Sequence, residues 1–515
     1  QMVLSVGNLS RTQGTRGKTD RSGSLSMGKL QRRLEEYANS DYYPYHMPGH
    51  KRRLFGKTLA PIAAWDITEI DDFDNLHDAK GVLQKVQSRA AEVYGAEESF
   101  FLINGSTSGI LSALSAALPK GGKLLMVRGC HKSAYHAAYL RGLEIKYLFT
   151  GIHPEFGCIL AATAAQVKQA LFENQDIQAV LIVSPTYEGL VAETAEIAEA
   201  AHRRGIPLIV DEAHGAHLGF HAGWQQNASR QGADLVVQSL HKTLPSMTQT
   251  AILHVNGSLI ERRKLRRFLE IYQSSSPSYI FMAAMEEAIE IASGAESLFS
   301  TFQKNWKEMM EKLGDCKALH FLRENNMDVG KLVIADRTGS LSGMQLYDKL
   351  RNQYHLQLEM AAGRYALAMF TIGDTKEGYE RLTEALLEID RDCGFGGGGQ
   401  YAERQNRREQ QNCGEQQNCE ERQNHRRQEE WICPRQCYPL YEAWDRKTER
   451  VLLAEAAGRT AGGFIVPYPP DIPIVVPGEM LTEEICYYLQ RCIKNGLTVQ
   501  GIEEQNHQLY VEIIK

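Results

Sequence analysis

Short runs of apolar residues alternate with stretches of helical periodicity through the first half of the chain. The apolar runs predict buried strands at 99–104, 123–127, 179–183, 207–211, 235–237 and 251–255. Apolar positions spaced three and four residues apart predict helices at 82–94, 105–118 and 194–204. Continuous apolar strands separated by helices are typical of a parallel or mixed sheet that is covered on both faces.

The second half of the chain has a different pattern. Helical periodicity dominates 281–325, and strands and helices mix from 331 onward, with a helix at 482–495 and a final strand at 509–513. We therefore expect a large domain over 29–285, which includes the N-terminal segment 29–65. A helical connection and a smaller α+β domain are expected over 286–515.

Two segments lack the apolar content that a folded core needs. Residues 1–28 are rich in Ser, Gly, Arg and Thr, and residues 394–430 join a glycine run to a Gln/Asn/Arg/Glu tract. We expect the first to be a disordered leader and the second to be a flexible insert. An amphipathic helix is predicted at 28–37, directly after Met27, which is a candidate first residue of the functional protein.

Composition and charge argue against several classes of protein. The chain has 515 residues, of which 43% are hydrophobic and 23% charged, as is ordinary for a globular protein with a large core. A net charge of -6 argues against a nucleic-acid or membrane-surface partner. The sequence contains no apolar run long enough to cross a membrane and no apolar secretory core, so we expect a cytoplasmic protein.

The ten cysteines do not indicate a disulfide scaffold in a chain of this length. Several of them lie in or beside the polar insert, together with His425. Cys433 and Cys437, which are separated by three residues, could bind zinc, but the remaining spacings are loose. We therefore predict no metal site.

Lys242 is the most informative residue of the sequence. It follows the strand predicted at 235–237 and is flanked by hydroxyls and a histidine, while Asp211 ends the strand predicted at 207–211. Open α/β sheets bind ligands at such strand ends. A lysine that forms a Schiff base and a carboxylate that pairs with a pyridinium nitrogen are the minimum equipment of a pyridoxal-phosphate (PLP) enzyme. Alone, each residue would suggest a surface lysine or a capping aspartate; together they indicate PLP.

Hydroxyls near two of the predicted strand ends could hold the cofactor's phosphate. The turn at 104–109 offers backbone N–H groups and the hydroxyls of Ser106 and Thr107 at a helix N-terminus. Phosphate binds well at such a position, although an ordinary helix cap is the alternative. Ser239, three residues before Lys242, could supply another hydroxyl.

Three further residues could contact the cofactor's ring. His131 follows a predicted strand and could stack on the ring, although a lone histidine is more often structural. Ala213 is small enough to let a flat ring lie against the backbone, and His214 could approach the cofactor's 3-oxygen. Asp211 would keep the pyridine nitrogen protonated, so that the ring can accept an electron pair.

A series of motifs, in chain order, carries a resemblance to a known family. They are HMPGHK at 46–51, DITE at 66–69 leading to NLH at 75–77, NGST at 104–107, HKS at 131–133, DEAHG at 211–215, SLHKTL at 239–244 and SPSY at 276–279. Together they resemble the ornithine/lysine/arginine decarboxylases with the aspartate-aminotransferase fold. The resemblance runs over about residues 30–385, resumes at 467–479, and is to the compact bacterial type.

The resemblance implies an α/β fold, with a PLP-binding large domain built on a mixed, mostly parallel sheet and a smaller α+β C-terminal domain. It implies that Lys242 is the Schiff-base lysine, that Asp211 partners the pyridine nitrogen and that His131 stacks on the ring. The residues that it implies for the phosphate are Ser106, Thr107, Ser239 and His241. A homodimer or a multiple of dimers with a shared active site is also implied, with the serines at 274–276 near the partner's phosphate.

The implied reaction converts a basic L-amino acid (arginine, lysine or ornithine) into carbon dioxide and an amine of polyamine biosynthesis. The bond from Cα to the carboxylate would be held perpendicular to the cofactor ring, and Lys242 or His131 would return a proton to Cα. The substrate's cationic end needs a carboxylate partner, for which Glu479 and Glu188 are candidates.

Two alternative functions stay open. One is another PLP reaction on the same fold, such as transamination or β-elimination. An aminotransferase normally needs an arginine for the substrate carboxylate, and Arg364 is a candidate. The other alternative is a catalytically silent regulatory homologue, which would be expected to lack Lys242 or Asp211, and this chain has both.

Overall fold

A computed structural model of the chain describes residues 41, 43–45, 73–395, 433–468, 472–494 and 496–515. The leader predicted at 1–28, the helix predicted at 28–37 and nearly all of the insert predicted at 394–430 lie outside these residues. The expectations for those segments, and the domain boundaries, therefore stay predictions.

A seven-stranded sheet dominates the first half of the chain. The strands up to Val255 are β1 (Tyr43–Tyr45), β2 (Glu98–Leu102), β3 (Lys123–Val127), β4 (Glu144–Leu148), β5 (Ala179–Val183), β6 (Leu208–Asp211), β7 (Leu235–Gln238) and β8 (Ala251–Val255). The sheet has the order β2-β8-β7-β6-β5-β3-β4, and the five strands from β7 to β4 are mutually parallel. Strand β8 is antiparallel to both of its neighbours, so the predicted mixed, mostly parallel sheet is confirmed.

The first half also contains helices, and most of these share a buried core with the sheet. They are the 3-10 turn Leu76–Asp78 and the helices Val82–Tyr94, Gly105–Ala117, Lys132–Arg141, Ala164–Glu173, Thr194–His202, Leu240–Thr243 and Arg262–Tyr272. Val180 and Ile209 of the sheet belong to the same buried cluster as Ile110 and Ile197 of two of these helices. Every residue of β6 and β7 is buried, as expected of strands that are covered on both faces.

The second half adds smaller sheets and longer helices. Up to residue 395 its elements are the helices Tyr279–Gly294 and Glu296–Lys312, the 3-10 turn Leu313–Asp315, β9 (Leu319–Phe321), β10 (Lys331–Asp336), the helix Gly343–Tyr354, β11 (Leu356–Leu358), β12 (Met360–Ala361), β13 (Tyr365–Met369) and the helix Lys376–Phe395. Strands β12, β13, β10 and β9 form an antiparallel sheet in that order. Strand β1 pairs in parallel with β11.

The C-terminal elements have a buried core of their own. They are the helix Leu440–Ala443, β14 (Thr448–Leu452), the 3-10 turn Leu453–Glu455, β15 (Val466–Tyr468), the helix Glu483–Lys494, β16 (Thr498–Gln500), β17 (Ile502–Gln505) and β18 (Gln508–Ile514). Ile485 and Leu489 of the helix pack in one cluster with Ile513 of β18. None of the helices in the described part of the chain has the length and apolar content to span a membrane.

The sheet topology gathers several loops at one edge. Asp211 ends β6 and pairs in register with Val183 of β5 and Val237 of β7. Strand β2 runs towards the same edge, because Leu102 pairs with Ala251 and β8 is antiparallel to β7. The loops that follow β2, β3, β5, β6 and β7 therefore meet where open α/β sheets bind their ligands.

Candidate active site

A cavity of about 510 Å³ lies at this carboxyl edge of the sheet. Most of the residues predicted to contact a cofactor line it, namely Ser106, Thr107, His131, Asp211, Ala213, His214, His241 and Lys242. Ser239 is not among the lining residues, but it is fully buried and its Oγ has no hydrogen-bond partner within the described ranges. The fold thus gathers residues that are up to 136 positions apart in sequence, from Ser106 to Lys242.

Asp211 ends β6, Lys242 lies just after the adjacent strand β7, and each residue shifts the pKa of the other. Lys242 belongs to the one-turn helix that follows β7, and its Nζ lies 3.1 Å from Nε2 of His214. Burial lowers the pKa of Lys242, and the charge of Asp211 opposes that shift. Burial raises the pKa of Asp211, while His131 and Lys242 lower it. A buried lysine with a lowered pKa has a larger fraction of the neutral, nucleophilic amine.

His131 combines a capping role with a place in the cavity wall. It is the N-cap of the helix Lys132–Arg141, and its Nδ1 accepts a hydrogen bond from the backbone N–H of Ser133 at 3.2 Å. A neutral ring whose Nδ1 accepts a hydrogen bond carries its proton on Nε2. The structural and the functional interpretation of this histidine are therefore compatible.

Part of the cavity lining fits a phosphate group. The helix Gly105–Ala117 begins there, so the N–H groups of its first turn are available to an anion. The hydroxyls of Ser106 and Thr107 lie in the same turn, and the unpartnered Oγ of Ser239 is a further buried donor. The Nδ1 of His241 donates to the carbonyl of Thr250 at 2.9 Å, which orients the ring. This donor set fits the phosphate of PLP.

Three residues at the site were not predicted from the sequence. Tyr187 lines the cavity, and its ring centroid lies 4.6 Å from that of His214. Gln249 also lines the cavity and donates from Nε2 to the carbonyl of Ile103 at 2.6 Å. Lys331 is buried behind His214, with its Nζ 3.0 Å from Nδ1 of that ring. Of these three, only Lys331 could have been singled out from the sequence, because it is a charged residue at the start of an apolar strand.

The two candidate partners for a substrate cation differ in position. Glu188 lines the cavity, where Tyr365 donates a hydrogen bond to its carboxylate, and burial raises the pKa of Glu188. Glu479 lies away from the cavity lining and is paired with the fully buried Arg128 at 3.0 Å. Its Oε2 also accepts the backbone N–H of Val476 at 2.8 Å. The structure thus assigns Glu479 a different partner from the one predicted, because a buried guanidinium needs this carboxylate as its counter-charge.

Glu479→Gln is expected to destabilise the protein by about 3–5 kcal/mol, because it leaves the Arg128 charge buried without a partner. Urea unfolding of the variant and the unchanged protein measures the difference. Glu449→Gln is the matched control, since its pair with Arg459 is exposed and is worth at most about 1 kcal/mol. If Glu479→Gln leaves the stability unchanged and raises KM for the substrate, Glu479 is instead a substrate-binding group.

The residues considered for an aminotransferase and for a zinc site do not line the cavity. Arg364, the candidate for an aminotransferase, is exposed, does not line the cavity, and donates to the carbonyl of Pro154 at 3.0 Å. Cys433 is exposed and Cys437 is partly buried. Among the residues that the structure describes, no three His, Cys, Asp or Glu side chains are grouped as a metal site would require.

Comparison with known protein families gives two matches that together cover most of the chain. The family described as "Orn/Lys/Arg decarboxylase, major domain" matches residues 29–352. The family described as "Orn/Lys/Arg decarboxylase, C-terminal domain" matches residues 417–514.

Individual relatives align over nearly their whole length. An arginine decarboxylase of Bacillus subtilis (strain 168) is 29% identical over 502 residues, which cover 94% of this chain and 96% of the relative. The uncharacterized protein YaaO of the same organism is 32% identical over 499 residues, covering 94% and 98%. Among solved structures, lysine decarboxylase A from Pseudomonas aeruginosa superposes with a TM-score of 0.73 at 20% identity, covering 94% of this chain and 80% of that one. The similarity to this last structure shows that the two proteins share a fold.

Proposed function

Because this chain belongs to the Orn/Lys/Arg decarboxylase family of PLP-dependent enzymes, we propose that it converts L-arginine to agmatine and carbon dioxide. The choice of arginine is supported by the relative named arginine decarboxylase, which aligns over 96% of its own length. L-Lysine and L-ornithine are the alternative substrates. The product amine would enter polyamine biosynthesis, and we place the enzyme in the cytoplasm.

One observation carries this proposal: Lys242, Asp211 and the second carboxylate Glu188 line the same cavity. PLP, when bound, supplies an electron sink that stabilises negative charge at the substrate's Cα. Lys242 would hold the cofactor covalently and Asp211 would keep a proton on its ring nitrogen. The first turn of the helix Gly105–Ala117, with Ser106, would hold its phosphate.

Two side chains are available to return a proton to Cα after the carboxylate has left. Lys242 and His131 both line the cavity. Burial lowers the pKa of Lys242, which brings this amine closer to the range in which a group can both accept and deliver protons at neutral pH. His131 has its Nδ1 engaged by Ser133, so its Nε2 side is the one that would act.

We propose Glu188 as the residue that binds the cationic end of the substrate. It lines the cavity, and its surroundings hold the carboxylate in place through the hydroxyl of Tyr365. A guanidinium paired with a buried carboxylate gains a charge-assisted hydrogen bond. The raised pKa of Glu188 reflects burial, and a bound cation would reverse this shift.

Glu188→Gln is expected to raise KM for arginine by roughly 10- to 100-fold, the equivalent of about 1.5–3 kcal/mol for a hydrogen bond to a charged group. Steady-state kinetics measures the effect. Glu324→Gln is the control, because this half-exposed carboxylate lies outside the cavity lining. If Glu188→Gln matches the control in both KM and kcat, Glu188 does not bind the substrate.

We also propose that the active enzyme is a homodimer or a multiple of dimers with shared active sites. In the single chain, the backbone N–H of Ser274 donates to Asn104 Oδ1 at 3.0 Å, so the 274–276 loop lies beside a residue that lines the cavity. A partner loop could reach the same region. Analytical ultracentrifugation should give a mass of an even number of chains, and a monomer that is fully active contradicts this proposal.

The proposed function is tested with purified protein, added PLP, and L-arginine, L-lysine or L-ornithine in separate reactions. We expect carbon dioxide and the matching amine from arginine at a kcat/KM at least tenfold above that for the other two, about 1.4 kcal/mol of discrimination. A preference for lysine or ornithine would change the proposed substrate but not the proposed reaction. No release of carbon dioxide from any of the three, with PLP bound, would contradict decarboxylation.

A further inference from the structure

Lys331 is a buried lysine that the proposed mechanism does not use. It is the first residue of β10 and is 1% exposed. Its Nζ lies 3.0 Å from Nδ1 of His214, and the other nitrogen of that ring, Nε2, lies 3.1 Å from Nζ of Lys242. A single imidazole therefore joins the cavity lysine to a second amine that lies behind the cavity wall.

The backbone around Lys331 leaves its side chain little room to move. A Cβ at Gly189 would come within 2.7 Å of Lys331 Cγ, and Gly189 has a φ of +100°, which favours glycine. The carbonyl of Gly189 accepts the N–H of Asp328 at 2.7 Å, and the N–H of Lys331 donates to the carbonyl of Asp328 at 3.2 Å. These contacts hold the lysine stem against the loop that follows β5.

The surrounding charges favour an ammonium at Lys331. Burial lowers the pKa of Lys331, while Asp328 and Glu359 oppose that shift, and the pKa is left at about 8. The nearby carboxylates therefore favour the ammonium form. Asp328 is also paired with His217 at 2.7 Å. The other titratable groups that act on the two lysines or on His214 are Asp211, Glu188, His131 and His241.

An ammonium neighbour determines which nitrogen of His214 carries the proton. Burial and the two flanking lysines hold the pKa of His214 well below its usual value, so the ring is neutral. An ammonium can only donate, so Nδ1 must accept from Lys331. The single ring proton is then on Nε2, which faces Lys242. The lone pair of a neutral Lys242 amine can accept a hydrogen bond from this Nε2–H, whereas an ammonium cannot.

We propose that Lys331 is a positioning residue that sets the tautomer of His214, so that His214 donates a hydrogen bond to Lys242 and keeps its amine neutral. This inference rests on the proposed role of Lys242 as the residue that holds the cofactor. It is independent of which amino acid is decarboxylated. In the loaded enzyme the same Nε2–H would face the cavity as a donor.

The test follows the reactivity of Lys242 in the cofactor-free protein. Acetic anhydride labels neutral amines, and mass spectrometry of the peptides gives the labelling of Lys242 as a function of pH. Lys331→Met removes both the charge and the donor, whereas Lys331→Gln removes the charge and keeps an N–H donor. Because both variants lose the charge, the difference between them isolates the hydrogen bond to His214.

We expect the labelling midpoint of Lys242 to be higher in Lys331→Met than in Lys331→Gln by about one pH unit, which corresponds to up to about tenfold slower labelling below the midpoint. Lys317→Met, which removes an exposed lysine close to β9, should leave the midpoint unchanged. Equal midpoints in Lys331→Met and Lys331→Gln would overturn the proposal. So would a Lys331→Met midpoint identical to that of the unchanged protein.

A second measurement covers the case in which Lys331→Met does not fold. NMR of the unchanged, cofactor-free protein labelled with ¹⁵N-histidine reads the tautomer of His214 directly, with the signal assigned by its loss in His214→Gln. The proton on Nε2 supports the proposal, and the proton on Nδ1 overturns it. Neither measurement needs decarboxylation, so a failure of the proposed function is distinguishable from a failure of this inference.

Discussion

Replacing Lys242 by alanine is expected to lower kcat for L-arginine by at least about 10⁴-fold, because the variant loses both the covalent attachment of the cofactor and a candidate proton donor. Within the described ranges no other lysine lines the cavity, and Lys331 lies on the far side of His214. Release of carbon dioxide from carboxyl-labelled arginine measures the effect. Mass spectrometry after borohydride reduction should find PLP attached to Lys242 in the unchanged protein.

Lys168→Ala is the matched control for this experiment. Lys168 is exposed on the helix Ala164–Glu173, so its removal should change neither activity nor PLP content. If Lys242→Ala keeps a tenth or more of the activity, or if the reduced PLP adduct is found on another lysine, the assignment of Lys242 is wrong.

Asp211→Asn should produce the second largest loss, about 10²- to 10³-fold in kcat, which is typical for removing one preorganised electrostatic partner. Asparagine has the same shape and can still accept the N–H of Ala213 that now bonds to Oδ1 at 3.2 Å. It lacks the charge that would keep the ring nitrogen of PLP protonated, so the electron sink weakens. Steady-state kinetics should show this as a fall in kcat with a small change in KM.

The spectrum of bound PLP provides an independent check on Asp211→Asn. Cofactor should still bind, because Lys242 and the donors around Ser106 are unchanged. A variant that binds PLP normally and retains full kcat would contradict the role of Asp211. Loss of PLP binding would instead indicate that Asp211 acts mainly in holding the cofactor.

Much of the sheet and most of the candidate site could be predicted because both depend on local sequence. Strands such as β5 and β6 are buried at nearly every position, so each appears as a continuous apolar run. Asp211 ends one such strand, and Lys242 lies four residues beyond the end of another, β7. Parallel topology then brings consecutive strand ends to one edge, which is why residues far apart in sequence line one cavity.

What could not be predicted depends on tertiary contacts or on weaker patterns. The edge strand β4 alternates exposed Glu144 and Lys146 with partly buried residues, so it lacks an apolar run. Glu479 was a candidate partner for the substrate's cationic end, but its partner in the structure, Arg128, is 351 positions away. Nothing local distinguishes a carboxylate that awaits a substrate from one that neutralises a buried arginine.

The fate of the carboxyl carbon of L-arginine distinguishes decarboxylation from transamination at this site. The substrate is labelled with ¹³C at the carboxylate, the reaction is run in D₂O with PLP-loaded protein, and products are identified by mass spectrometry. We predict ¹³C-labelled carbon dioxide and agmatine with one deuterium on the carbon that carried the carboxylate. A keto acid that retains the ¹³C label would contradict decarboxylation and would show that this site performs transamination.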